Sequence, residues 1–207
     1  MLSLVSSRSP AAQSRGMAAL AQLAHNNHDN QDAMAKMGGI RPLVQLLESS
    51  GSDSEVAAYA ASALMEISRD NAANQQSVVE SGGVAQLATI MKSSSNAEVK
   101  AEVAGALWAL SADPAIKVAI ASNHTIPPLV QLLGTGDERA CEHAASALAS
   151  LGRDNSENQV QITHMLIELL INGSDSAQER AVHALNEVRA WRLRGWGGGR
   201  GCWWWWC

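Results

Sequence analysis

The segment Gly38–Leu47, Gly-Gly-Ile-Arg-Pro-Leu-Val-Gln-Leu-Leu, returns at Gly82–Met91, again at Ile126–Leu133, and faintly at Met165–Leu170. Its leading leucine marks the copies at Leu43, Leu87, Leu129 and Leu166, spaced 44, 42 and 37 residues apart. An Ala-Leu pair keeps step with it at Ala63-Leu64, Ala106-Leu107, Ala147-Leu148 and Ala184-Leu185, with an earlier echo at Ala19-Leu20. A period of about 40–47 residues belongs to arrays of stacked helical units. Such a unit buries its apolar face only against its neighbours, so the chain is expected to be one elongated stack rather than an isolated core.

Each unit reads as a short helix, a Gly-Gly break, a second helix and a longer third helix. Asn30 is expected to cap a first helix that ends at Met37, where Gly38-Gly39 admits backbone angles closed to other residues. Pro42 falls near the start of the second helix, and Leu43, Val44, Leu46 and Leu47 give that helix an apolar face. Ser52 to Glu55, Ser95 to Glu98 and Thr135 to Glu138 each match the capping-box pattern ahead of the third helix. That helix is alanine-rich (Ala57, Ala58, Ala60, Ala61, Ala63), which favours helix and close packing. Arg69-Asp70-Asn71 and Arg153-Asp154-Asn155 are matching loops leading to Asn74-Gln75 and Asn158-Gln159, as Asn30-Gln31 does one unit earlier. The last unit lacks the Gly-Gly break and is about five residues short, so its first two helices are expected to fuse.

These signals divide the chain into a disordered N-terminus (1–10) and a repeat array (11–190). The array comprises a partial unit (11–25), complete units at 26–70, 71–112 and 113–154, and a shortened unit at 155–190. The chain begins inside a unit, as a fragment of a longer array would. From Trp191 onward the sequence changes in kind: six of the seven tryptophans fall in 191–207 with no helical or strand period. Trp, Gly, Arg and Cys share G-rich codons, so this stretch is expected to be a disordered gene-model artefact rather than part of the fold.

The net charge is −5 over 207 residues, and residues 1–190 alone carry 12 Lys/Arg against 20 Asp/Glu, or −8. An acidic body argues against binding phosphate backbones. Three cysteines make no disulfide framework, and Cys141 reads as a small buried side chain of a protein in a reducing compartment. No run approaches the ~18 apolar residues of a membrane span, and Met1–Pro10 is too short and serine-rich for a secretory leader. The expected location is the cytoplasm or nucleus. His25 and His28 align with the exposed loops after the other third helices and read as loop rather than metal ligands. No phosphate loop, nucleophile elbow or zinc-protease motif is present, so no cofactor and no catalysis are expected.

The Asn-Gln-led first helix, the Gly-Gly-Ile-x-Pro-Leu-Val-x-Leu-Leu block and the capped Ala-rich helix together resemble armadillo repeats over about residues 11–190. The resemblance implies an all-α, right-handed α-solenoid whose third helices line a concave groove for extended peptides or partner proteins. Importin-alpha-like and catenin-like members carry an asparagine after Ala-Leu-x that holds the partner backbone. Here the matching positions are Gln22, Glu66, Ala109, Ser150 and Glu187. The tryptophan that importin-alpha-like members place four residues earlier is replaced by Ala18, Ser62, Gly105, Ser146 and His183, and Trp108 reads as packed on another face. An importin-alpha-like transport role is therefore disfavoured.

The leading expectation is a non-catalytic scaffold that binds a protein or extended peptide, with no nucleic acid and no small-molecule substrate. Helical spacing places Tyr59, Ser62, Glu66 and Arg69 in the groove, followed by Glu102, Gly105 and Ala109. His143, Ser146, Ser150 and Arg153 line the next stretch, then Arg180, His183 and Glu187. Glu66 and Glu102 are expected to be exposed. The alternative is the substrate-recruiting armadillo region of a larger ubiquitin ligase, since some plant-type ligases join a U-box to such repeats; nothing in this sequence resembles a U-box.

Overall fold

A computed structural model describes residue 7 and residues 9–194, with side chains described to residue 188. The described residues form twelve helices and no strand. Helix α1 (Pro10–Ala24) is a lone third helix, followed by α2 (His28–Lys36), α3 (Ile40–Ser49) and α4 (Glu55–Ser68). The next repeat holds α5 (Ala72–Glu80), α6 (Gly83–Ser93) and α7 (Ala97–Leu110). Then come α8 (Pro114–Ser122), α9 (Ile126–Thr135) and α10 (Glu138–Gly152). The last repeat is a pair, α11 (Ser156–Asn172) and α12 (Asp175–Arg194), so its first two helices are fused into one as expected. Helix α12 runs beyond Ala190, so the backbone of 191–194 is helical where the sequence suggested no period; residues 195–207 and most of 1–8 lie outside the described part.

The first helices stop where one residue adopts positive φ. Gly38 does so at φ 73° and Gly82 at φ 80°, and the Gly38 and Gly82 amides donate to Ala35 O and Val79 O, both at 2.9 Å. In the third repeat His124 fills that place at φ 58°. Side chains with a Cβ strain there, which is why glycine recurs.

Helix starts differ from the sequence expectation. Ser54, Asn96 and Asp137 cap α4, α7 and α10, accepting from Ala57 N, from Glu98 and Val99 N, and from Ala140 N. Ser52, Ser95 and Thr135 are not the caps, and Glu55, Glu98 and Glu138 sit in the first turn, where their charge complements the helix dipole. Likewise Asn27, not Asn30, caps α2, as Asn71 caps α5 and Asn155 caps α11.

Asn30 has another use, shared by its counterparts. Its amide donates to Leu23 O at 2.7 Å, Asn74 donates to Ile67 O at 2.9 Å, and Asn158 donates to Leu151 O at 3.0 Å. Each bond ties a first helix to the end of the third helix before it. The adjacent glutamines reach the following repeat: Gln31 Nε2 donates to Glu66 O at 2.9 Å and Arg69 O at 3.2 Å, and Gln75 Nε2 to Ala109 O at 3.0 Å. These buried amides satisfy carbonyls left over at helix ends.

The third helices α1, α4, α7, α10 and α12 make a continuous row, each packed on the next. Ala57, Ala60, Ala61 and Ala63 of α4 and Ala101, Ala104 and Ala106 of α7 are fully buried, so small side chains bring the helices together. Leu43, Leu64, Leu87, Leu107, Leu129 and Leu148 fill the core between layers with at most 1% exposure. No described helix is long and apolar enough to cross a membrane.

Candidate functional site

Polar and aromatic side chains converge on the middle of the third-helix row. Arg69 caps the C-terminus of α4, and its guanidinium carbon lies 5.1 Å from the centre of the Trp108 ring on α7. The indole is 6.3 Å from the His143 imidazole on α10, tilted by 35°. A cation over an indole face is attracted by the ring quadrupole. His143 Nδ1 donates to Ala101 O at 2.9 Å, which fixes the proton on that nitrogen and leaves Nε2 as an acceptor in the neutral ring. Three successive repeats therefore meet around one half-buried tryptophan.

Gly105 lies beneath this cluster. A Cβ there would come within 2.5 Å of Met65 Sδ and 2.8 Å of His143 Nδ1, so the absent side chain is what seats the imidazole. Gly105, which helical spacing places in the groove, is thus covered by the protein's own side chains.

The two glutamates expected to be exposed are not: Glu66 and Glu102 are each only 7% exposed. Glu66 accepts from His25 Nδ1 at 2.9 Å and from Arg69 NH2 at 3.1 Å, while Asn26 donates to the other imidazole nitrogen at 3.1 Å. Glu102 pairs with Arg139 of the next repeat. Helical spacing could not show that basic residues of adjoining segments fold over both carboxylates. They are inter-repeat ties, and the alternation of charge along this face is largely compensated within the protein.

The remaining residues divide among several places. Tyr59, Ser62, Ala109, Ser146 and Ser150 are half-buried, Ser150 Oγ donating to Ser111 O at 2.7 Å. Arg180 reaches Leu133 O at 3.1 Å and Gly136 O at 3.3 Å, where its charge suits the carbonyl end of α9. Arg153 lies at the corner between α10 and α11, where its carbonyl accepts from Lys117. His183 is exposed and Glu187 half-buried on α12.

Trp108, the residue after Ala106-Leu107, packs against the core as the sequence suggests, and it also meets Arg69 and His143 of the adjoining repeats. Helix α7 ends one residue sooner after its Ala-Leu pair than α4 or α10 do after theirs. Gln31 donates to Glu66 O and its counterpart Gln75 to Ala109 O, so Ala109 takes the place that Glu66 holds and Trp108 stands one residue before it.

Cys141 and His28 are structural in placement. Cys141 Sγ lies near the carbonyls of Leu132, Leu133 and Gly136, and burial pushes its thiol pKa up. His28 Nδ1 pairs with Gln31 Oε1 at 3.0 Å. Among the described residues no group of three or more His, Cys, Asp or Glu could hold a metal ion.

The sequence profile of the Armadillo/beta-catenin-like repeat matches residues 26–69, 71–112 and 113–153. The chain belongs to the armadillo repeat family. Solved structures agree with this armadillo array. An engineered protein is 30% identical over 90% of this chain and 77% of its own, with a TM-score of 0.77. A designed armadillo repeat protein is 23% identical over 90% and 80%, with a TM-score of 0.74. Another, solved in complex with the peptide (KR)4, is 21% identical over 94% and 86%, with a TM-score of 0.74. No curated protein matches the sequence. The fold is an all-α solenoid of armadillo repeats.

Proposed function

We propose that this armadillo array is a non-catalytic interaction module that holds an extended partner segment along the third-helix row, centred on Trp108. The observation that carries this reading is the Arg69–Trp108–His143 cluster, in which a half-buried indole is flanked by a cation and an imidazole from neighbouring repeats. Trp and Arg are the residues most often found as energetic anchors of interfaces. Because Glu66 and Glu102 are already paired within the chain, the preferred partner is not uniformly basic. It offers an apolar or aromatic side chain to Trp108 and hydrogen-bonding groups to the polar residues beside it.

Selection of extended peptides from a random library on the intact chain tests this. Bound peptide should slow amide exchange in α4, α7 and α10 while leaving α3, α6 and α9 unchanged, and the peptide (KR)4 should bind more weakly than the selected sequences. Protection confined to the second helices, or no peptide selected at all, would remove the reading.

A further inference from the structure

The corner where α7 meets α8 departs from its counterparts. In the loops before α2, α5 and α11, Asn26, Asp70 and Asp154 adopt positive φ ahead of the capping asparagine, whereas Ala112, in the matching place before α8, does not. At the same corner Lys117 stands four residues after its helix cap, where the other repeats place Gln31, Gln75 and Gln159. Gln75 satisfies both its N–H donors, on Ser68 O at 3.1 Å and Ala109 O at 3.0 Å. Lys117 is 5% exposed and donates to Arg153 O at 2.9 Å. An ammonium has three N–H groups; one of them meets an acceptor here.

Lys117 lines an open cleft of about 530 Å³ between the two loops, together with Ser111, Pro114, Val118, Arg153 and Asp154. That volume is within the range of about 300–1,000 Å³ that small-molecule sites occupy. The charged groups around the amine are Arg153 and Asp154 from the α10–α11 corner and Asp113 from its own helix cap. Burial and then Arg153 push the Lys117 pKa down, and the two aspartates oppose them. A lysine desolvated beside another cation is a better nucleophile near neutral pH than one in open solvent.

We propose that Lys117 is an acylation site, accepting a short acyl group from a thioester donor held in this cleft. The neutral amine attacks the thioester carbonyl, the N–C bond forms, the C–S bond breaks, and the proton lost from nitrogen ends on the departing thiol. The product is a secondary amide with one N–H and no charge beside Arg153, which weakens the tie between α8 and the α10–α11 corner. The site does not depend on partner binding at Trp108.

The test uses an internal comparison among the four lysines, Lys36, Lys92, Lys100 and Lys117. The full chain is incubated with acetyl-coenzyme A at several pH values from neutral to alkaline, and acetyl occupancy at each lysine is read by peptide mass spectrometry. Lys117 should be acetylated several-fold faster than the other three at neutral pH, with the advantage shrinking as the pH rises. Occupancy at Lys117 equal to or below that of the other three would overturn the proposal. The Lys117→Gln variant should fold, since glutamine stands at this place in the three other repeats, as Gln31, Gln75 and Gln159, and should lose only the Lys117 share of incorporation. Unchanged total incorporation in that variant would also overturn it.

Discussion

Arg69 and Trp108 are joined across a repeat boundary, the guanidinium carbon 5.1 Å from the centre of the indole ring. The same guanidinium donates to Glu66, which in turn accepts from His25, so one chain of contacts runs through three consecutive third-helix ends. The row is thus rigidified by the residues that also form its most chemically distinctive surface.

Glu66→Gln tests the structural half of that arrangement. The carboxylate is buried but its partners are partly exposed, so losing the charge should cost about 1–3 kcal/mol, the range for weakening hydrogen bonds to a buried charged group. Urea denaturation followed by circular dichroism reads the change. A change within about 0.5 kcal/mol, typical of surface positions, would show that the tie is not energetically engaged.

Asp53 gives a pH signature. Its carboxylate accepts from Ser94 Oγ at 2.8 Å, Ser95 N at 2.7 Å, Ser95 Oγ at 2.9 Å and Asn96 N at 3.1 Å, joining the α3–α4 loop to the α6–α7 loop. The Ser94 hydroxyl first, then the Ser95 and Asn96 donors, hold its pKa at about 2. That lies below the value of about 3.9 for an unfolded chain, so the contribution is complete above pH ~5 and is lost as pH falls from about 4 through 2. Asp53→Asn should therefore be less stable than the parent at pH 7, with the difference closing toward pH 2. A difference independent of pH would contradict the assignment.

His124 occupies a left-handed position that its counterparts give to Gly38 and Gly82. Left-handed backbone costs a residue with a Cβ roughly 1–2 kcal/mol, partly offset by the greater freedom of glycine in the unfolded chain. His124→Gly should therefore raise stability, by about 0.5–1 kcal/mol after that offset. Thermal unfolding measures it, and a lowered midpoint would show that the imidazole makes a contact worth more than the strain.

The fold was legible because its signals repeat. Ala106-Leu107 and its copies mark core positions, and Leu107 is fully buried. Helix ends were less legible: Ser95 and Glu98 fit a capping pattern, yet Asn96 is nearer the first turn and takes the role. The site was only partly legible, since the exposure of Glu66 and Glu102 depends on His25, Arg69 and Arg139, two of which belong to neighbouring repeats. Trp108 reads as packed and does pack against the core, but its contacts with Arg69 and His143 cross repeat boundaries, which spacing along one helix does not show.

The most direct measurement of the account is the dissociation constant of a selected peptide for Trp108→Ala against the parent chain. The comparison is made after circular dichroism has confirmed that both fold, with Glu48→Lys on the second-helix side as control. Loss of a central aromatic anchor should weaken binding at least about tenfold, equivalent to roughly 1.4 kcal/mol, while Glu48→Lys leaves it unchanged. Undiminished affinity in Trp108→Ala, or equal weakening by Glu48→Lys, would contradict a partner site on the third-helix row.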